Sequence, residues 1–468
     1  MLQVTVAPPS GNKRQKLELA KSSKVGDLKR LAQKILGENF LSLVTAEGHV
    51  LKDPGKSLEA AGVSDGDHLT AVVQQAKLAA TAGAFALWSD GGDQIVTWGH
   101  DTISRNCSAV QDSLGSVQLV QGTRSVIYQA PPTDPEYLAG AFAAILEDGS
   151  VVTWGSPDDG GDSSAVSGQL RNVQQVQGTS CAFAAILADG SVVTWGHPAS
   201  GGDSSAVQDR LRNVKQIEAT NCAFAAILQD GSVVAWGDSD FGGDSSDVQD
   251  QLRSVQQIRA TELAFAAILA DGSVVTWGHP QNGGDSSNVQ HKLRRVQQVR
   301  STGEAFAAIL EDGSVVTWGS PDAGGDSSAV SGQLRNVQQV QGTSSAFAAI
   351  LADGSVVTWG HRGSGGDSSA VQDRLSNDKQ IEATVSAFAA ILADGSVVTW
   401  GIDDSGGDNS TVKDQLQNVR QIQATGQAFA ALRSDGSLVA WGDPMCGGEF
   451  KIRTRAVDME TALSRMCR

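Results

Sequence analysis

Residues 182–196 read Ala182-Phe183-Ala184-Ala185-Ile186-Leu187-Ala188-Asp189-Gly190-Ser191-Val192-Val193-Thr194-Trp195-Gly196, and this phrase recurs along most of the 468-residue chain. Its tryptophan returns as Trp154, Trp195, Trp236, Trp277, Trp318, Trp359, Trp400 and Trp441, always 41 residues apart. A looser copy ends at Trp98, which gives nine copies. A fixed period near 40 residues means one supersecondary unit stacked many times. The phrase itself is a hairpin. Ala182–Leu187 and Ser191–Gly196 are two apolar runs, and Asp189-Gly190 between them predicts a two-residue type I′ turn. So tight a turn makes the strands antiparallel and excludes a parallel β-helix. The small alanines allow neighbouring sheets to approach closely, and Trp195 supplies the large body that fills the space between them.

The rest of the unit follows from the same stretch. Four variable residues succeed Gly196, then Gly201-Gly202-Asp203-Ser204-Ser205. The run from Ser205 to Leu211 has the spacing of a capping box opening a short helix. Val214–Ala219 then predicts a third strand leading into the next hairpin. These units resemble the repeats of the regulator-of-chromosome-condensation family, in which a strand and an Asp-Gly hairpin end in Trp-Gly. The resemblance spans roughly residues 76–448. It implies an all-β array closed into a β-propeller, although the family has seven units and this chain has nine, shorter ones. The alternative is an open β spiral of three-stranded units with short helices. The end units favour the spiral. Seven units carry Gly-Gly-Asp, whereas the first has Asn106 without the glycines and the last has Gly447-Gly448-Glu449. Atypical terminal repeats are what capped open arrays need. Residues 141–181 and 305–345 differ only at Asp159/Ala323 and Cys181/Ser345, so a block of four units has been duplicated.

Residues 1–75 read differently. Leu2–Val6 alternates like a strand, Pro8 to Gly11 turns the chain, and Lys16–Leu19 returns. Leu28, Leu31, Ala32, Ile35 and Leu36 have the spacing of an amphipathic helix, with Gly37 as its C-cap. Leu41–Thr45 predicts a strand, Ala46-Glu47-Gly48 a tight turn, and His68–Val73 a last strand. Leu51, Leu58 and Val63 are further core candidates. This order, with Leu43-Val44-Thr45-Ala46-Glu47-Gly48 and Ser57-Leu58-Glu59-Ala60-Ala61-Gly62-Val63, resembles the ubiquitin-like β-grasp, an α+β fold. No Gly pair follows Val73, so the resemblance implies a built-in module read by partners, not a conjugated tag. It places Val44 and Val72 on the apolar partner surface, with Pro8 or Pro9 at the third position.

Composition narrows the function. The net charge is −17, carried wholly by the repeats: residues 1–77 hold eleven Lys/Arg and eight Asp/Glu. Nucleic acid is therefore not an expected partner. No apolar run of about 18 residues exists, so no membrane span is expected. Five cysteines (Cys107, Cys181, Cys222, Cys446, Cys467) form no disulfide framework, which fits a cytoplasmic or nuclear home. No metal site and no cofactor are expected. Asp162, Asp203 and their equivalents to Asp408 serve as helix caps, His100, His197, His279 and His361 are an incomplete set in exposed loops, and the Gly-Gly loops lack the lysine of a phosphate loop.

Two sets of positions vary: the four residues after Trp-Gly, and the residues just before Ala-Phe-Ala-Ala. A uniform scaffold with variable loops is how repeat proteins build partner surfaces. An insertion of 15 residues, 124–138, separates the first two units and holds both tyrosines, Tyr128 and Tyr137, as a candidate docking segment. The expected function is a non-enzymatic protein-interaction scaffold with a ubiquitin-like domain (1–75), a repeat platform (76–449) and a tail (450–468). The ubiquitin-like resemblance implies ubiquitin-pathway receptors as partners. The repeat resemblance also allows nucleotide exchange on a small GTPase, or the substrate-binding part of a ubiquitin ligase.

Overall fold

The structure, a computed structural model, describes residues 1–8, 14–36, 41–51, 55–73, 76–89, 95–100, 110, 113–114, 116–123, 140–376 and 378–449. The insertion with Tyr128 and Tyr137, Pro9, Gly37, Asn106, Cys107 and the tail lie outside the described residues.

The head is a mixed four-stranded sheet crossed by one helix. Strands β1 (Leu2–Ala7), β2 (Gln15–Leu19), β3 (Leu41–Val44) and β4 (His68–Val73) lie in the order β2-β1-β4-β3. β1 and β4 are parallel and the other pairs antiparallel. Helix α1 (Val25–Leu36) starts with Asp27 Oδ2 accepting from the Lys24 N–H at 3.0 Å. It lays Val25, Leu28, Ala32 and Leu36 on a core of Val4, Val6, Leu43 and Leu69. Leu58 and Val63 are buried there, and Leu51 packs against its rim.

Among the described residues nine three-stranded antiparallel sheets follow. They cover residues 76–99, 117–155, 173–196, 214–237, 255–278, 296–319, 337–360, 378–401 and 419–442, and are here units one to nine. In every unit the second strand is central and strand order follows chain order. In unit three the first strand is Val173–Gly178, the second Ala182–Leu187 and the third Val192–Gly196. Phe183 stands opposite Trp195, and their rings stack 5.3 Å apart.

Two local expectations are corrected. The Asp-Gly turn is not type I′. Only Gly190 has positive φ, at 78°, and Asp189 does not. The Gly190 N–H bonds Leu187 O and the Leu187 N–H bonds Ser191 O, each at 2.9 Å. This is a type I turn closed by a left-handed glycine, the three-residue hairpin that keeps the strand twist. Asp189 Oδ1 accepts from Ser191 N–H and Ser191 Oγ, which explains the constant serine. The expected short helix is a single 3-10 turn, Gln208–Arg210. No capping box forms, because Ser204 Oγ donates to Gln208 Oε1 and the Gln208 amide donates to Val192 O of the third strand. The segment is thus pinned along the strand edge.

Successive units join through nine apolar cores. Each takes alanines and Ile or Leu from one unit and Phe, Trp and first-strand residues from the next. The ninth joins unit nine to unit one, packing Ala428, Ala430, Leu432 and Leu438 against Leu78, Phe85, Leu87 and Trp98. The tryptophan repeats one bond at seven interior joints: Trp195 Nε1 donates to Gly160 O of the preceding unit at 3.0 Å, and so on to Trp441 and Gly406. Trp98 makes the same bond to Gly447 O at 3.1 Å. The array therefore returns on itself, and the open-spiral alternative is overturned. Among the described residues no sheet spans two units, so side chains and isolated backbone bonds hold the seam. The aberrant end units misled because their joint residues, Phe85, Trp98, Gly447 and Gly448, are kept.

Candidate interaction face

Antiparallel strands place the end of each first strand, the start of the second and the exit of the third at one end of the unit. The Asp-Gly turns occupy the other. Both variable sets therefore gather on one face. A threonine joins them. Thr179 Oγ1 donates to Ser200 O at 3.0 Å, fastening the turn before Ala-Phe-Ala-Ala to the loop after Trp-Gly. Thr220, Thr261, Thr302, Thr343, Thr384 and Thr425 do the same at 2.9–3.1 Å. All are buried. Sequence reasoning missed these threonines, and their signal was constancy between two variable stretches.

The variable residues after these threonines circle the axis. Ser180, Asn221, Glu262, Gly303, Ser344, Val385 and Gly426 each donate a backbone N–H to the carbonyl of the next unit's equivalent, at 2.7–3.0 Å. The last of these seven links, Gly426 to Ala82, crosses the seam. At a spacing of about 4.8 Å per unit, a ring of nine units has an opening on the order of 14 Å across between backbones. It contains a cavity of about 460 Å3 lined by Thr302, Thr343 and Thr384 with Asn221, Glu262 and Ser344.

Deeper along the axis the first strands present a polar layer. Arg259 bonds Glu218 at 2.7 Å. Glu382 accepts from the Gln380 amide at 2.6 Å, and burial raises its carboxyl above the usual range.

The other candidates fall into place around this face. Cys181 and Cys222 lie near Ser200, whose hydroxyl reaches Cys222 Sγ at 3.7 Å. Burial, with Asp159 beside it, pushes the Cys181 thiol up to about 12, and burial also raises Cys222. Such thiols carry little thiolate. Among the described residues no three His, Cys, Asp or Glu side chains are placed to hold a metal ion. Asp203 accepts from the Ser205 N–H at 2.9 Å, as do its six equivalents from theirs, but the 3-10 turns that follow have no side-chain cap bond, so these are local Asx turns and not the expected helix caps. His100 is buried, against the expectation of an exposed loop. The repeat tryptophans Trp154 to Trp441 are all buried at the joints.

On the head, Val44 and Val72 share the face of the sheet away from α1. Val44 stands opposite Thr70 and Val72 opposite Ser42, while their neighbours Leu43 and Ala71 are buried. Val72 is 39% exposed. Val50, 43% exposed, bridges to Val44 and extends the patch, a residue the sequence reading passed over. Pro8 is half-buried.

No protein-family model matches the chain, and no curated protein does. Solved structures are similar to it. A chain of the crystal structure of Kap60 bound to yeast RCC1 (Prp20) shares 15% identity, with 84% of this chain and 93% of that chain covered and a TM-score of 0.40. The ectodomain of the Physcomitrella patens receptor kinase CR4 shares 15% identity, covering 62% and 74%, with a TM-score of 0.36. The computationally designed Ika8 protein shares 14% identity, covering 64% and 93%, with a TM-score of 0.32. At these TM-scores the fold rests on the contacts described above.

Proposed function

We propose that the protein is a non-enzymatic interaction scaffold. Its repeats are a nine-bladed propeller of the regulator-of-chromosome-condensation kind, and its head is a ubiquitin-like β-grasp that addresses ubiquitin-pathway receptors. The observation that carries this reading is the sorting of the sequence in space. Positions that vary between units collect on one face around the axial opening, and positions that do not vary make joints and turns. Val44, Val50 and Val72 give the head a separate, small apolar patch of the kind that docks partners. The carboxyl-rich surface steers basic protein partners and disfavours nucleic acid.

Two variants of the full chain test this. One replaces Asn221, Glu262 and Ser344 with arginine, and the other replaces Val44 and Val72 with aspartate. Val44 and Val72 lie on the open face of the head sheet, so the aspartate variant is expected to keep the wild-type melting temperature; Asn221 is buried and the Ser344 hydroxyl donates to Val385 O of the next unit at 2.6 Å, so the arginine variant is expected to melt lower while staying folded. In quantitative affinity capture each is expected to lose its own set of partners at least tenfold and keep the other set. Identical capture profiles for wild type and both variants overturn the reading. Nucleotide release from a panel of small GTPases separates the exchange-factor alternative: release accelerated by the chain, and lost in the arginine variant, replaces the scaffold with an exchange factor.

A further inference from the structure

The charged side chains of the axial channel are not paired one to one. They share one position of the first strand, opposite the third residue of the second: Glu218 opposite Ala225, Arg259 opposite Ala266, Arg300 opposite Ala307 and Glu382 opposite Ala389. Glutamine holds this position in units two, three, seven and nine. The residue before it is buried in a joint, as Val299 is before Arg300, so alternation turns the position itself towards the axis.

Three of the four charges are engaged. Arg259 Nη1 donates to Glu218 Oε1 at 2.7 Å and to Ile258 O at 3.1 Å. Glu382 accepts from the Gln380 amide at 2.6 Å. Arg300 is the exception. Among the described residues its half-buried guanidinium makes no hydrogen bond and no ion pair, and its Nε is closed off from solvent without a partner. Burial holds the guanidinium below its ordinary value, the charge of Arg259 adds to this, and Glu382 and Glu218 act the other way. Those three groups stand in units five, eight and four, and only a side chain facing the axis meets all of them. The imbalance lies in the repeat. Glu218 and Glu382 are counterparts 164 residues apart, but the counterpart of Arg259 is Gln423. The second glutamate has therefore lost its arginine, and Arg300, one unit beyond Arg259, has no glutamate beside it.

A charge that has given up water without gaining a partner costs stability. The five N–H donors of Arg300 form a planar fork that fits two oxygens of a carboxylate or a phosphate. The way in is open. Gln121, at the same level in unit two, and Ser301, next to Arg300, line the cavity of about 460 Å3 at the variable face. We propose that the axial channel binds a small free oxyanion, a carboxylate or a phosphate, with Arg300 as its principal ligand and Arg259 as the second positive charge. The net charge of −17 opposes anions at long range, but physiological salt screens that field beyond about 8 Å, and inside the channel the local charges decide. The site stands whether or not the variable face docks a protein.

Calorimetric titration of the full-length chain with sodium phosphate and with sodium acetate, at constant ionic strength, tests this. Saturable binding of at least one of the two anions is expected. Arg300→Gln is expected to weaken it about tenfold or more, the scale of a lost charge-assisted bond. Glutamine already stands there in other units, so this variant is expected to keep the wild-type melting temperature without anion. Glu382→Gln is expected to tighten binding about threefold, because it removes the carboxylate that acts most strongly on Arg300. No saturable binding of either anion overturns the proposal, and so does equal affinity in Arg300→Gln. If both variants melt lower and neither changes the anion affinity, Arg300 and Glu382 are a structural pair and the site is refuted.

Discussion

A single residue type at a single position shows how the repeat constrains its sequence. The residue before each first strand from unit three to unit seven, and again in unit nine, has φ between 54° and 57°. Asn172, Asn213, Asn336 and Asn418 tolerate that left-handed backbone, but Ser254 and Arg295 occupy it too. An ordinary side chain there costs about 1–2 kcal/mol. Arg295→Asn is therefore expected to stabilise the chain by about 1 kcal/mol, read as a shift in the denaturant midpoint. The Arg295–Glu311 pair it removes is 3.5 Å long and mostly exposed, so its loss offsets little. The sequence did not announce this position as special, because two of its six occupants are not the residues that backbone prefers.

At the scale of elements, the hairpins were legible because alternation and the Asp-Gly pair both speak of local structure. The turn type was not, since Asp-Gly serves a type I′ turn and a type I turn with a left-handed glycine equally well. The segment after the Gly-Gly pair was misread for a similar reason. Its Ser and Gln have capping-box spacing, but the glutamine is drawn away by a strand carbonyl that sequence spacing cannot show. The turns carry a pH dependence of their own. Hydrogen bonds from the Ser191 hydroxyl and N–H hold the Asp189 carboxyl below its ordinary value near 3.8, and Asp148, Asp230, Asp271, Asp312, Asp353 and Asp435 are held down likewise by their serines. A depressed carboxyl contributes stability above its unfolded value and loses it as pH falls through its folded value. Denaturant midpoints are thus expected to be level near neutrality and to fall below about pH 4, with a shallower fall when several of these aspartates are changed to asparagine.

At the scale of the molecule, the closed array was the part least legible in the sequence. Its seam joins Trp98 to Gly447, far apart in the chain, and the irregular ends pointed the other way. The seam and the interior joints are the same contact. A Cβ on Gly283 would meet the Phe306 ring at 2.5 Å, and one on Gly447 the Phe85 ring at 2.8 Å, both at positive φ. Gly447→Ala and Gly283→Ala are each expected to cost on the order of 3 kcal/mol, measured by chemical denaturation. A neutral Gly447→Ala means the seam is not a joint. The candidate face was half legible: sequence variation marked the positions, and only the fold showed that they meet. Seven backbone links run head to tail around that opening and across the seam. Peptide dipoles laid tangentially around a circle point in every direction in its plane, so their sum tends to zero, unlike the aligned dipoles of a helix. The backbone ring thus adds no net dipole at the mouth, and the shape and local charge that an entering group meets are set by the side chains each unit is free to change.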